Sequence, residues 1–247
     1  MKRTVILTVA ESKRLIAKGV AALPEVLNAM ENGMLVVATG TTNAYVLQEI
    51  KGEKFDLRRY RSGMTTPDVP EKGKDPAAEL MPDVVFRKGE VVKELDRYNA
   101  VQHMTKSDVY IKGANALNYE EQLAGVLIGG GTGGTVGAVL GTIMGKHIKL
   151  VIPVGLEKLV YANINDLHLL AAEEDYEGPN LWPITGIIIT EIEALEILCG
   201  VNAILFSAGG VAGAEGSVRL MLDGDDETVE KALKLIKGIK GEPRYIL

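Results

Sequence analysis

Threonine and glycine supply the clearest candidate chemistry in this chain. Thr39, Gly40, Thr41 and Thr42 follow an apolar run at 34–38 and precede a helical run at 44–50. That order puts hydroxyls and backbone N–H groups at a helix start, where the first donors lack intrahelical partners and the dipole is positive. A phosphate or carboxylate fits such a loop, although Thr42 could equally serve as a plain N-cap. A second loop, Gly129, Gly130, Gly131 and Thr132, opens the stretch GGGTGGTVGAVLGTIMG at 129–145, which carries no charge. Its N–H groups can line an anion, with hydroxyls from Thr132 and Thr135. Gly137, Gly141 and Gly145 recur every fourth residue and are expected to face packing against a sheet. The third turn is Lys112, Gly113 and Asn115. Lys112 can neutralise an anion or lie on the surface. Asn115 can bond a sugar hydroxyl or supply the turn's left-handed conformation.

Other chemistries are thinly represented. His103, His147 and His168 show no metal-ligand spacing, and no metal or cofactor is expected. The single cysteine, Cys199, excludes an intramolecular disulfide and reads as core. Net charge is −6, without the basic tract that would follow a nucleic-acid backbone. Residues 123–145 are uncharged and long enough to span a bilayer, but nine of them are glycine, too weak a hydropathy for a convincing span. A cytoplasmic protein is expected, with neither nucleic acid nor membrane as a partner.

These loops need elements to hold them. Residues 11–32 carry Leu15, Ile16, Val20, Leu23 and Leu27 at helical spacing, broken at Pro24. Strands are expected at 34–38, 108–112, 125–128 and 148–154, with a hairpin about Lys88, Gly89 and Glu90 and a helix over 94–104. Residues 52–82 form a long polar excursion in which Met64, Thr65 and Thr66 are candidate lid residues. Alternating strands and helices imply an α/β, Rossmann-like, mostly parallel sheet covered on both faces, with ligands at its carboxyl ends. Residues 1–178 make up this domain. Residues 179–247 show the order βαββαβ, with a last strand over 243–247, and predict a ferredoxin-like α+β subdomain. Trp182 is expected to pack the linker between the two parts.

The chain resembles the superfamily of ribose-5-phosphate isomerase, glucosamine-6-phosphate deaminase and the coenzyme-A transferases, and the isomerase most of all. The likeness rests on residues 35–47 (LVVATGTTNAYVL), 108–117 (DVYIKGANAL), 129–137 and 148–160 (IKLVIPVGLEKLV). It implies a phosphate on the Thr39–Thr42 loop and a small lid domain at the C-terminus. The departures are specific. Lys112 and Asn115 stand where the isomerase has acids, Ile128 where it has a lysine, and Gly137 where it has its proton-shuttling base. A glycine cannot move a proton between adjacent carbons.

The sequence therefore predicts a protein that binds a small phosphorylated or carboxylated metabolite, sugar-phosphate- or nucleotide-like, without the isomerase's chemistry. Its expected contacts are Thr39, Gly40, Thr41, Thr42, Lys112, Gly113, Asn115, Gly129, Gly130, Gly131 and Thr132, and no catalytic residue is assigned. One alternative is an active isomerase- or transferase-type enzyme using a relocated carboxylate such as Glu120 or Glu215. In that setting Glu191 and Glu193 are read mainly as a solvated face. Another is an assembly protein, a homo-oligomer formed through the C-terminal sheet.

Overall fold

The computed structural model describes residues 1–66 and 79–245. The chain begins with β1 (Lys2–Leu7), α1 (Val9–Ala21), α2 (Pro24–Asn32), β2 (Met34–Val37) and α3 (Thr41–Lys51). After the excursion come β3 (Val84–Arg87), β4 (Glu90–Val91), β5 (Val109–Ile111), β6 (Ala116–Asn118), β7 (Leu123–Ile128) and α4 (Gly134–Gly145). Then follow β8 (Lys149–Pro153), α5 (Ile164–Leu170), β9 (Asn180–Ile184), β10 (Ile187–Ile189), α6 (Glu191–Cys199), β11 (Asn202–Ala208), β12 (Val218–Asp223) and α7 (Asp226–Ile239).

The class is α/β. A six-stranded sheet in the order β10-β8-β5-β2-β3-β4 is parallel across its first four strands and antiparallel through the β3–β4 hairpin. Every residue of β2 and β5 is buried, which is why they read as unbroken apolar runs. Helices α1, α3 and α6 pack together, and Gly19 lets α1 approach Ala194 of α6 more closely than a Cβ would allow. α4 lies instead over Tyr110 and Lys112 of the β5 segment and Leu150 of β8. Among the described residues no helix is long and apolar enough to cross a membrane.

Several elements depart from the sequence reading. Strand β7 is outside the parallel sheet and pairs antiparallel with β6 and β9. The apolar run at 184–190 is shared between two strands, the end of β9 and all of β10. Gly186 turns the chain where a Cβ would stand 2.4 Å from the Leu150 carbonyl, so β9 ends in the small sheet and β10 joins β8. The β11–β12 hairpin is completed by β1, from the opposite end of the chain, not by a strand over 243–247. Residues 243–245 are irregular, and 246–247 lie outside the described residues. The helix expected over 94–104 is only a 3-10 turn at Ala100–Gln102. Asp96 and Asn99 take nearby backbone N–H groups and compete with a helix.

The excursion is anchored by Tyr60, a fully buried residue. Its hydroxyl donates to the Val37 carbonyl and accepts from Val84 N at 3.0 Å. Met64 is half-buried, while Thr65 and Thr66 are exposed. The part of this segment over 67–78 lies outside the described residues.

The glycines of α4 also behave differently from expectation. Val136, Val139 and Ile143 form its buried face. Gly141 and Gly145 therefore fall on the exposed side, with nothing near the place of a Cβ. The close approaches lie earlier. Gly133, at φ +77°, would put a Cβ 2.6 Å from Trp182, and Gly137 would put one 2.0 Å from the Thr132 carbonyl. Trp182 of β9 thus packs on the glycine loop. Gly133→Ala is expected to lower stability by about 1–3 kcal/mol through left-handed strain and overpacking. Gly141→Ala should raise it by roughly 0.5–1 kcal/mol, since the helix gains propensity at no steric cost. Thermal unfolding of the two variants checks both signs.

Candidate functional site

The parallel strands β2, β5 and β8 end side by side. Asn43, in the first turn of α3, ties two of those ends together: Nδ2 donates to the Ala38 carbonyl at 2.7 Å and the Ile111 carbonyl at 3.3 Å. Its Oδ1 is buried and unpartnered. Gly40 precedes α3, and no side chain caps that helix. The Thr41 hydroxyl accepts from Lys13 Nζ at 3.2 Å. Thr39 is already engaged. Its N–H donates to Asp83 Oδ1 at 2.9 Å, and its hydroxyl accepts from Arg97, which itself pairs with Asp83 at 3.2 Å. Thr42 is buried.

Lys112 and Gly113 continue from β5. Lys112 N donates to the Val151 carbonyl at 3.0 Å, and Nζ curls back to the Gly113 carbonyl at 3.0 Å. From the 3-10 turn after β8, Lys158 Nζ reaches the Ala114 carbonyl at 2.7 Å. Asn115 faces the other way: its Oδ1 accepts from Leu127 N at 3.1 Å and its own N–H donates to the Gly125 carbonyl. It brackets the β6–β7 hairpin. Lys112 lines a small apolar cavity together with Thr135 and Val136 in the first turn of α4. That helix starts from Gly133 and also lacks a side-chain cap. Gly129, Gly130, Gly131 and Thr132 are exposed just ahead of it.

The rim's electrostatics follow from three half-buried ammonium groups. Burial lowers Lys112 to about 8, with further repulsion from Lys158 and Arg97. Burial also lowers Lys13 to about 8, with repulsion from Lys158 only partly opposed by Glu157. Lys158 is lowered by burial against the attraction of Glu157 and Glu191. Among the described residues, none of the three forms an ion pair. The Tyr245 ring stands 5.8 Å from Lys13 Nζ, and its hydroxyl approaches Met64 Sδ at 3.8 Å. Met64 thus borders the rim on the Lys13 side.

Sequence reasoning singled out neither Lys13 nor Lys158. Lys13 lies among apolar residues of α1 in a segment with no motif. Lys158 lies inside the quoted run at 148–160, where only its position after a parallel strand could have marked it.

Glu191 corrects a second expectation. It is fully buried, with Oε2 accepting from Leu156 N at 2.9 Å and Oε1 unpartnered. Burial pushes its carboxyl up to about 7, the Glu157 charge pushes the same way, and the Ser12 hydroxyl partly opposes both. Glu157 Oε2 is likewise buried and unpartnered. The carboxylates expected as relocated bases lie elsewhere. Glu120 and Glu215 are exposed, and Glu215 bonds Gly213 N at 2.9 Å. Glu193 closes the capping box of α6 and accepts the Tyr119 hydroxyl. Among the described residues no group of three or more His, Cys, Asp or Glu is placed to hold a metal ion. His168 bonds Asn180 at 2.8 Å.

Glu191 ties stability to pH in a definite direction. Its folded value is raised from 4.5 to about 7. Its contribution is therefore fully present below 4.5 and is lost as pH rises through 7. The loss amounts to about 2–3 kcal/mol. Glu191→Gln should flatten that decline between pH 5 and 8, as read by urea unfolding at each pH. A variant whose stability falls as steeply as the parent's would remove Glu191 as the cause. In comparisons with known proteins, no protein-family model, curated protein or solved structure matches this chain.

Proposed function

We propose that the chain binds a small phosphorylated or carboxylated metabolite at the carboxyl ends of β2, β5 and β8. One observation carries this reading: three half-buried lysines meet there, bonded only to a hydroxyl and two carbonyls. Like charges gathered without ion-pair partners are unfavourable; Glu157 attracts Lys13 and Lys158, and Glu191 attracts Lys158, yet Lys112 has no attracting charge, and an anion relieves the repulsion that remains. The helix starts support it. Thr8, Asn163, Thr190 and Asp225 cap α1, α5, α6 and α7 with side chains, and α2 starts from Leu23 with Pro24 in its first turn and no side-chain cap, whereas α3 and α4 start bare from glycine. Bare N–H groups at a helix start are donors for an anion.

Within this reading Gly40, Thr41, Lys13, Lys112, Gly113 and Lys158 are the principal contacts. Thr42 and Gly129–Thr132 line the approaches, and Thr39 and Asn115 act as supports. A divergent place in the isomerase and transferase superfamily is proposed on the order of the four matching segments. The α6–β11–β12–α7 unit with β1 is proposed as an open variant of the ferredoxin-like pattern. Gly137 argues against the isomerase's own chemistry, because the Thr132 carbonyl occupies the space a side chain there would need.

Glu191 favours a second reading, an active enzyme. A buried carboxyl titrating near neutrality, within electrostatic reach of Lys158, is a candidate proton-transfer group. Under that reading Glu191→Gln abolishes turnover and leaves ligand affinity intact.

Lys112 provides the decisive test. Its folded value lies below the unfolded one, so the charged group destabilises the free protein below about pH 8. That cost fades as pH rises towards 10.5. Lys112→Met should therefore stabilise the ligand-free protein at pH 7 by about 1 kcal/mol after allowance for solvent screening, or roughly 2–4 °C in Tm. The same variant should lose most of the thermal stabilisation that the parent gains from inorganic phosphate or a sugar phosphate. Parent affinity should weaken as pH rises through 8. A variant less stable than the parent that still binds phosphate equally well would refute the reading.

A further inference from the structure

We propose that residues 240–245 form a strap whose tip, Tyr245, covers Lys13 and holds anions off it until the tip is displaced. The inference rests on the anion-binding reading above and adds a contact that opposes binding. The strap leaves α7 and crosses α1 on fixed anchors. Gly241 N donates to Glu11 Oε1 at 2.9 Å, and Lys240 Nζ donates to Glu11 Oε2 at 2.9 Å. Arg14 then holds Glu242 in a two-pronged pair, Nη2 to Oε1 at 2.9 Å and Nε to Oε2 at 3.1 Å. Glu11 and Arg14 are both buried, and charge-assisted bonds of this kind are the strong ones. Arg14 also donates to Gln48 and Glu49 of α3, at 2.6 and 2.8 Å. The strap is thus fixed to the same helix pair that brings Lys13 to Thr41.

The tip is held far less firmly. Lys13 Nζ lies over the Tyr245 ring, 5.8 Å from its centroid, which is the outer limit of a cation–π contact. Among the described residues the Tyr245 hydroxyl meets the Met64 thioether at 3.8 Å, and a thioether is a weak acceptor. Arg61 Nη1 approaches the same sulfur at 4.0 Å. Firm anchors behind a weakly bonded tip suit a segment that swings at one end. The direction of the effect follows from the ring. Its face carries the negative part of the aromatic quadrupole. That face attracts the ammonium and repels an anion brought to it. A phosphate on Lys13 and a ring over Lys13 therefore oppose each other. Binding exchanges the tip's contact for the anion and leaves the anchors on Glu11 and Arg14 in place.

Titration calorimetry with inorganic phosphate at pH 7 and low salt tests this on the parent chain, Tyr245→Ala and Tyr245→Phe, each checked for cooperative thermal unfolding. Tyr245→Ala should bind phosphate about threefold or more tightly than the parent, the size of one weak cation–π contact removed from the free state. Tyr245→Phe keeps the ring face and should bind as the parent does. A second measurement needs no variant. Arg244 is exposed beside the tip, and phosphate should speed trypsin cleavage after it by about twofold or more over chloride at equal ionic strength, because the open tip is the cleavable form. Phosphate affinity in Tyr245→Ala that is equal to or weaker than the parent's overturns the covering role and leaves the anion site standing. A Tyr245→Phe variant that binds as tightly as Tyr245→Ala moves the effect to the hydroxyl and overturns the part given to the ring. Cleavage after Arg244 that phosphate slows or leaves unchanged overturns the displacement. Phosphate binding to Tyr245→Ala alone is the strongest form of the expected result. Binding to none of the three overturns both this proposal and the reading beneath it.

Discussion

Three ammonium groups held half-buried at one end of a parallel sheet impose the constraint around which the rest is arranged. Each is partly desolvated, Lys13 and Lys112 are both repelled by Lys158, and each is bonded to neutral oxygen. Such an arrangement lowers stability in the free protein, so other interactions must hold the strand ends fixed. Asn43 does this directly by joining the Ala38 carbonyl just past β2 to the last carbonyl of β5. Asp83 and Arg97 do it from the other side by fixing Thr39. Tyr60 closes the set, tying β2 to the strand that follows the excursion. Neutral or internally paired groups form this frame, and none of them forms an ion pair with the three lysines.

The same division runs through the helices. Away from the rim, side-chain caps satisfy the first donors of α1, α5, α6 and α7, and α2 alone starts uncapped, from Leu23 with a proline in its first turn. At the rim, glycine takes the cap position of α3 and α4. A Ser or Asp at either position would contribute about 1 kcal/mol of capping, but its oxygen would occupy the donors an anion needs. At Gly133 the backbone gives a further reason, since its left-handed conformation and the Trp182 ring both exclude a side chain. Under the proposed reading, local stability and an open anion site therefore compete for the same few N–H groups.

Much of this was legible in the sequence where the signal was local. The break at Pro24, the β3–β4 hairpin, the start of α3 and the run into α4 all follow from spacing within a few residues. What failed was non-local. Nothing near Lys2–Leu7 shows that it pairs with a strand over two hundred residues away. The apolar run at 184–190 hides a change of sheet at Gly186. Among the residues of the proposed site, Thr41, Lys112 and Gly113 stand out in the sequence because they follow strands. Lys13 enters from a helix after the first strand, so only the packing of α1 on α3 brings it to the rim. Asn115 was misread because one amide can serve a ligand or a hairpin, and only the position of β7 decides between them.

The glycine at 137 and the glutamate at 191 bear on one question from opposite directions. A base at 137 is excluded by geometry, because the preceding loop folds its Thr132 carbonyl over that position. An acid at that point would force the loop open and disturb the bare start of α4. Glu191 approaches from another layer, behind the turn that carries Glu157 and Lys158, and Leu156 N fixes one of its oxygens. Its proton is held by burial and by the neighbouring Glu157 charge. An anion settling near Lys158 adds negative charge close by and makes ionisation of Glu191 harder still. Under the proposed anion-binding reading, ligand binding and proton retention at Glu191 are therefore linked with the same sign, whether or not that proton is ever given to a substrate.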